Sequence, residues 1–163
     1  MQRACAALVA AVVLGGCAEG TTQPDVVFQV IEELDFAPSL GVDLAAMTRT
    51  ESGSYLQDVV EGTGPQVVYG SVLTINLTGW LPNGTEWINS TESLLLGNTS
   101  VILGLEDAVF LMREGGERLA VIPPERAFGG LPHYDSFGGI LVPAGSVIVL
   151  RVEAVSVVNE EGL

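Results

Sequence analysis

Leu77-Thr-Gly-Trp-Leu-Pro-Asn-Gly84, then Gly104-Leu-Glu-Asp-Ala-Val-Phe-Leu-Met112, then Ile122-Pro-Pro-Glu-Arg-Ala-Phe-Gly129, decide the fold. In order they read as a strand with a tight turn, one short amphipathic helix, and a strand end running into a Pro-rich loop. Ser71 to Trp80 alternates, with Val72, Thr74, Asn76 and Thr78 on one face and Leu73, Ile75, Leu77 and Gly79 on the other. Pro82-Asn83-Gly84 suits a hairpin, because Asn-Gly tolerates positive φ, and Thr85 to Ile88 is expected to return as the partner strand. Leu105, Ala108, Val109 and Met112 fall at i, i+3, i+4 and i+7, the spacing of one helix face. Glu106 and Asp107 suit the positive end of the helix dipole, and Gly115-Gly116 is expected to end the helix.

Working outward, Ser54 to Glu61 reads as an edge strand closed by the turn Gly62-Thr-Gly64-Pro65. Glu117 to Ile122 is a strand that Pro123-Pro124 stops. Ser146 to Val157 is the last strand, with Ile148, Leu150, Val152 and Ala154 opposite Val147, Val149, Arg151 and Glu153. The fold class expected is α+β: a curled, mostly antiparallel sheet of about five strands wrapped over one short helix.

The chain has 163 residues, so one globular domain is the default. The formal net charge is −14, there is no Lys, and the Arg residues form no run. Such a surface repels phosphate backbones, which excludes nucleic acid as a partner. The acidity serves solubility instead.

Arg3 precedes an apolar run from Ala4 to Leu14, which is about eleven residues long, too short to span a bilayer and suited to a signal peptide. Leu14-Gly15-Gly16-Cys17 resembles the bacterial lipobox, with Cys17 as the lipidated residue. Cys5 would leave with the signal, so no thiol pair remains for a disulfide. We expect residues 1–16 to be a lipoprotein signal, 17–52 an acidic tether or N-terminal arm, 53–158 the domain, and 159–163 a tail. Between Glu19 and Glu61 nine acidic residues face one Arg, which fits a spacer carrying short elements that dock on the domain. Localisation would then be the bacterial cell envelope, facing periplasm or exterior, with the lipid on Cys17 as the membrane anchor. Asn-X-Ser/Thr sequons at Asn76, Asn83, Asn89 and Asn98 matter only in a glycosylating secretory pathway.

The order of motifs resembles the FKBP-type peptidyl-prolyl cis-trans isomerases over roughly Gly53 to Val158. The resemblance is carried by Thr78-Gly79-Trp80-Leu81 with Asn83-Gly84, Leu96-Gly97 before Val101-Ile102, Gly104 with Glu106, Gly115-Gly116-Glu117-Arg118, Ile122 to Gly129, and Val142-Pro143. It implies rotation about X-Pro bonds in polypeptide segments, by a pocket that desolvates and twists the amide, in the service of exported proteins. It implies that Trp87, Val101, Ile102, Leu105 and Phe128 carry the reaction, and that Leu77, Leu141, Val142 and Leu150 line the substrate site. No metal, no cofactor and a monomer are expected. The sequence also departs from the family pattern. Leu105 stands where Trp is common, Phe128 where Tyr is usual, Ile88 where Asp is usual, and Leu77 where Tyr is usual. These departures open an alternative, a catalytically weak or inactive module that binds apolar peptide segments as a chaperone.

His133, the single histidine, lies in the loop from Gly129 to Leu141. With no nucleophile or orienting partner in view it is expected to be an ordinary loop residue, and with Asp135 it is too little for a metal. The loop is long enough to form a flap over a cleft and to carry specificity.

Overall fold

The structure is a computed structural model that describes residues 25–98 and 101–159. The expected signal segment, Cys17 and the end of the tail from residue 160 lie outside the described residues. Six strands form one antiparallel sheet in the order β1-β2-β5-β8-β3-β4. They are β1 (Thr48–Arg49), β2 (Tyr55–Val60), β3 (Val72–Trp80), β4 (Glu86–Leu95), β5 (Glu117–Ile122) and β8 (Ile148–Val158). A short hairpin of β6 (His133–Tyr134) and β7 (Ile140–Val142) stands apart from it, and α1 (Leu103–Val109) is the only α-helix among the described residues.

The period-2 rule places side chains on two faces, and both faces are covered. On one side Leu73, Ile75, Leu77, Ile122, Ile148, Leu150, Val152 and Ala154 meet Leu105, Ala108 and Val109 of the helix. On the other, Leu119, Val121, Val147 and Val149 are buried beneath Ile31, Leu40 and Met47. The segment from residue 25 to 47 therefore docks on the back of the sheet. Burying each of those three side chains contributes about 1.5–3 kcal/mol against leaving it in water. Backbone bonds hold the course of the arm, Gln29 N–H to Gly145 O at 2.8 Å and Ala37 N–H to Pro82 O at 2.8 Å. Tyr55 Oη donates to Glu32 Oε1 at 2.7 Å, and this bond holds the Glu32 carboxyl below, and the Tyr55 hydroxyl above, its ordinary pKa.

Along β8 the alternation shows how far the arm reaches. Val147 and Val149 are fully buried on the arm side, whereas Arg151 and Glu153, on the same side further along, are exposed. The returning strand runs from Glu86 to Leu95, well past the expected end at Ile88. Polar Asn89 to Ser93 has no apolar alternation to announce it. It is nonetheless paired residue for residue with β3, and it forms the sheet's edge. The helix stops at Val109, earlier than expected, because Phe110 turns extended and Leu111 takes φ +62°. Met112 is buried as its spacing suggests, but it lies after the helix, and Gly115 (φ +79°) serves the turn into β5 instead.

Candidate pocket on the helix side of the sheet

A β-bulge builds the wall of the pocket. Gly79 pairs with Ile88 and Trp80 with Glu86, so Trp87 is the extra residue on β4. A bulge re-aims a side chain that strict alternation would send the other way. Trp87 and Ile88, though neighbours in sequence, thus both line one cavity. The indole lies over Gly79, where an added Cβ would sit 2.8 Å from both Trp87 Cε2 and Ile88 Cγ2. Gly79 has to be glycine for the aromatic to lie there.

The cavity has a volume of about 220 Å³. Leu77 enters it from β3 and Leu150 from β8, and these two strands pair directly, with Gly79 opposite Leu150. Val101 and Ile102 precede α1, and Leu105 comes from its first turn. Gly104 lets that turn come in close, since a Cβ there would meet Ile122 Cγ2 at 2.1 Å. Phe128 and His133 close the opposite side from the segment after Pro123-Pro124. Glu92, Ser93 and Leu94 of the edge strand complete the lining.

The aromatic residues contact one another. Trp87 and Phe128 meet edge to face with centroids 5.5 Å apart, and Phe128 and His133 stack at 4.5 Å with 15° between planes. Trp87 also meets His133 edge-on at 5.9 Å. The Trp87 Nε1 atom is buried, with no hydrogen-bond partner among the described residues.

The structure thus brings seven of the residues singled out by sequence, Leu77, Trp87, Val101, Ile102, Leu105, Phe128 and Leu150, to one cavity. Leu141 and Val142 are not among the residues that line it. Val142 is fully buried and pairs with His133 in the short hairpin, so it backs the pocket instead of lining it. Leu141 is half-buried against the core and does not reach the cavity. His133 lines the cavity where an ordinary loop residue is expected, and Ile88 lines it at the position where the family usually has Asp. His133 carries no local signal, because only the hairpin brings it onto Phe128. Ile88 shares the face of Leu94 by ordinary alternation, and the bulge brings Trp87 to the same side.

Behind the helix lies a second, wider and partly polar groove of about 790 Å³, bordered by Ser52, Asp58, Asp107, Phe110 and Arg118. Arg118 is buried there. Its Nε donates to Asp58 Oδ1 at 2.6 Å, and its Nη1 donates to the carbonyls of Ala108 and Phe110 at 3.0 and 2.9 Å. It thereby satisfies the C-terminal carbonyls that a helix leaves open.

A family model described as FKBP-type peptidyl-prolyl cis-trans isomerase matches residues 64–155, which include every wall residue of the cavity. The "FK506-binding protein" of Neisseria meningitidis serogroup B is 33% identical over 110 residues, covering 64% of this chain and 96% of that protein. The FKBP-type peptidyl-prolyl cis-trans isomerase FkpA of Buchnera aphidicola is 30% identical over 119 residues, covering 71% of this chain and 47% of that protein. Among solved structures, that of AtFKBP13 superposes with a TM-score of 0.62 at 27% identity, covering 68% of this chain and 97% of that one. FkpA from Escherichia coli superposes with a TM-score of 0.59 at 27% identity, covering 69% of this chain and 51% of that one. With the α+β architecture and the matched span agreeing, the chain belongs to the FKBP-type peptidyl-prolyl cis-trans isomerase family, and its reaction is the cis-trans isomerisation of X-Pro bonds in polypeptides.

Proposed function

We propose that the cavity walled by Trp87, Ile102, Leu105 and Phe128 is the isomerase site, and that the chain works on exported polypeptides from a lipid anchor at the cell envelope. The observation that carries the first part is the convergence of these four side chains on one largely apolar cavity inside the family-matched span. Rotation about X-Pro must cross a barrier of about 18–20 kcal/mol, most of it lost amide resonance. The twisted amide has a less polar carbonyl and loses less than the planar form when water is removed, so an apolar cavity favours it. In this reading Leu105 is the floor under the proline ring, and Trp87 and Phe128 are its aromatic walls. Val101 and Ile102 contact the chain at the rim, the Ile102 N–H donates to a substrate carbonyl, and Leu77 and Leu150 close the interior. Exchange spectroscopy on a proline peptide tests this. We expect exchange above background, and a background rate at high enzyme concentration would reject it.

The anchor rests on Leu14-Gly-Gly-Cys17 directly after the apolar run. The arm meets the domain from Val26, which lies beside Gly145. At most about 3.3–3.6 Å per residue, the stretch from Cys17 to Val26 would hold the domain within roughly 30 Å of the bilayer surface. Palmitate labelling that persists in Cys17→Ser would reject this part.

A second reading draws on Ile88, Leu105 and Phe128, which leave the cavity with few polar handles. The chain would then act mainly by holding apolar segments, with isomerisation slow. Suppression of client aggregation by a Trp87→Ala variant that no longer isomerises would favour it.

A further inference from the structure

Asp107 lies two residues beyond Leu105 on α1, and Arg126 lies two residues before Phe128. The two side chains form a bidentate pair, Nε to Oδ2 at 3.0 Å and Nη2 to Oδ1 at 2.7 Å. Both are largely buried, with 27% of the Arg126 and 20% of the Asp107 side chain exposed. The same carboxylate accepts from Ser52 Oγ at 2.8 Å and from Ser54 Oγ at 3.4 Å. One carboxylate therefore gathers donors from the bend before β2 and from the segment after β5, and it sits on the helix that carries Leu105. The backbones already touch, since an added Cβ on Gly104 would come within 3.0 Å of the Arg126 carbonyl. Among the described residues no backbone hydrogen bond joins α1 to residues 123–129. A helix of seven residues does not hold its own place, so tertiary contacts must set it.

Accepting the cavity as the X-Pro site, we infer that Asp107 and Arg126 are positioning residues of the isomerase, fixing the gap between Leu105 and Phe128 that receives the proline ring. Neither side chain lines the cavity. Their fork geometry matters because two parallel charge-assisted bonds fix an angle as well as a distance. A lysine at 126 keeps the charge and loses the angle.

The test uses the full chain with Asp107→Asn, Arg126→Met and Arg126→Lys. Asp58→Asn serves as a control, because it breaks the Arg118 pair, which borders the same groove as Asp107 but joins neither Leu105 nor Phe128 to the cavity. Each is measured for thermal unfolding, for kcat and KM on a proline peptide well below the unfolding temperature, and for the ring-current-shifted signals of Phe128 and His133. We expect Asp107→Asn and Arg126→Met to lower kcat/KM by roughly tenfold to a hundredfold, as about 1 Å of misplacement can do. Their ring signals should shift, with Arg126→Lys intermediate. Asp58→Asn should unfold earlier yet keep kcat/KM and the ring signals. Wild-type kcat/KM and unshifted rings in Arg126→Lys and Asp107→Asn, at whatever unfolding temperature, would overturn the inference. If the wild-type chain itself shows no isomerisation, the isomerase site fails separately, and the ring signals still decide whether the pair sets the gap.

Discussion

Phe128 and His133 lie face to face, 4.5 Å between centroids and 15° between planes, with both rings against the edge of Trp87 in the cavity wall. The stack is worth about 0.5–1.5 kcal/mol beyond the area it buries. His133 thus acts as a flat surface that keeps Phe128 upright, and no proton transfer is asked of it. Replacing it by Phe should leave kcat/KM within about twofold, since the flat partner survives. Replacing it by Ala should lower kcat/KM by roughly twofold to tenfold, the equivalent of the lost stack at 1.4 kcal/mol per factor of ten. Equal losses in both variants would show that the imidazole does something a plain ring cannot.

Gly79→Ala probes the bulge. The new methyl would have to occupy space 2.8 Å from the Trp87 indole and from the Ile88 side chain. Gly79 is itself buried between β4 and β8, so the indole has to yield. Overpacking of this kind costs about 1–3 kcal/mol. Denaturant unfolding should show that loss, accompanied by a fall in isomerase rate larger than that of Gly70→Ala. Gly70 has open space around it and needs φ +89° only for its turn.

The bond between Tyr55 and Glu32 makes docking of the arm depend on pH at both ends. The Tyr55 hydrogen bond is the largest cause holding the Glu32 carboxyl below its ordinary 4.5, with Arg49 a smaller contributor at 3.5 Å. A carboxyl lowered in the folded state adds stability above its unfolded value, and loses it as pH falls through the folded one. Tyr55 is the converse. Its hydroxyl is raised above its ordinary 10.0 first by the bond to Glu32, so its contribution holds below that value and fades as pH rises through the folded one. The amide protection factors of residues 28–34, corrected for the intrinsic pH dependence of exchange, should therefore be high and flat between about pH 5 and 9, and lower below about pH 4. Tyr55→Phe should remove the dependence. The Glu32 side chain is about half exposed, 49%, so solvent screens the bond, the effect is local and global unfolding should barely move.

Much of this architecture is legible in the chain, for a physical reason. Leu73, Ile75 and Leu77 alternate because one face of β3 packs on the helix and the other does not, and Leu105, Ala108 and Val109 repeat because the helix buries one stripe. What escapes is set by tertiary pairing. Asn89-Ser-Thr-Glu-Ser93 forms strand only because β3 lies beside it, and as an edge strand it keeps its polar outer face in water. Ile31, Leu40 and Met47 stand in short 3-10 turns and a bend, with no common period, yet they share one buried cluster. Acidic neighbours such as Glu32 and Asp43 made the segment look like a solvated spacer. For the cavity, it is the family resemblance and not residue type that points to Trp87, Ile102, Leu105 and Phe128 as walls, since a Leu such as Leu105 reads equally well as core. The bulge that brings Trp87 to the same side as Ile88 and the hairpin that delivers His133 have no local signature.

Phe128 and Val142 are both apolar and close in sequence, but they should respond oppositely to truncation. Val142 is fully buried in the core, so Val142→Ala leaves a void that the close-packed interior refills only in part. It should cost about 1–2 kcal/mol of stability, a little above the range for deleting one methyl group, with kcat/KM changed only as far as His133 shifts. Phe128 is only partly buried and stands on the cavity wall, so its truncation widens a solvent-open cavity instead of leaving a closed void. Phe128→Ala should therefore lose less stability than the 3–5 kcal/mol of a core aromatic, while kcat/KM falls at least tenfold. The comparison needs only unfolding curves and a proline-peptide rate for each variant. If Phe128→Ala unfolds the domain at full core cost, Phe128 is a structural residue and the cavity beside it is not the isomerase site.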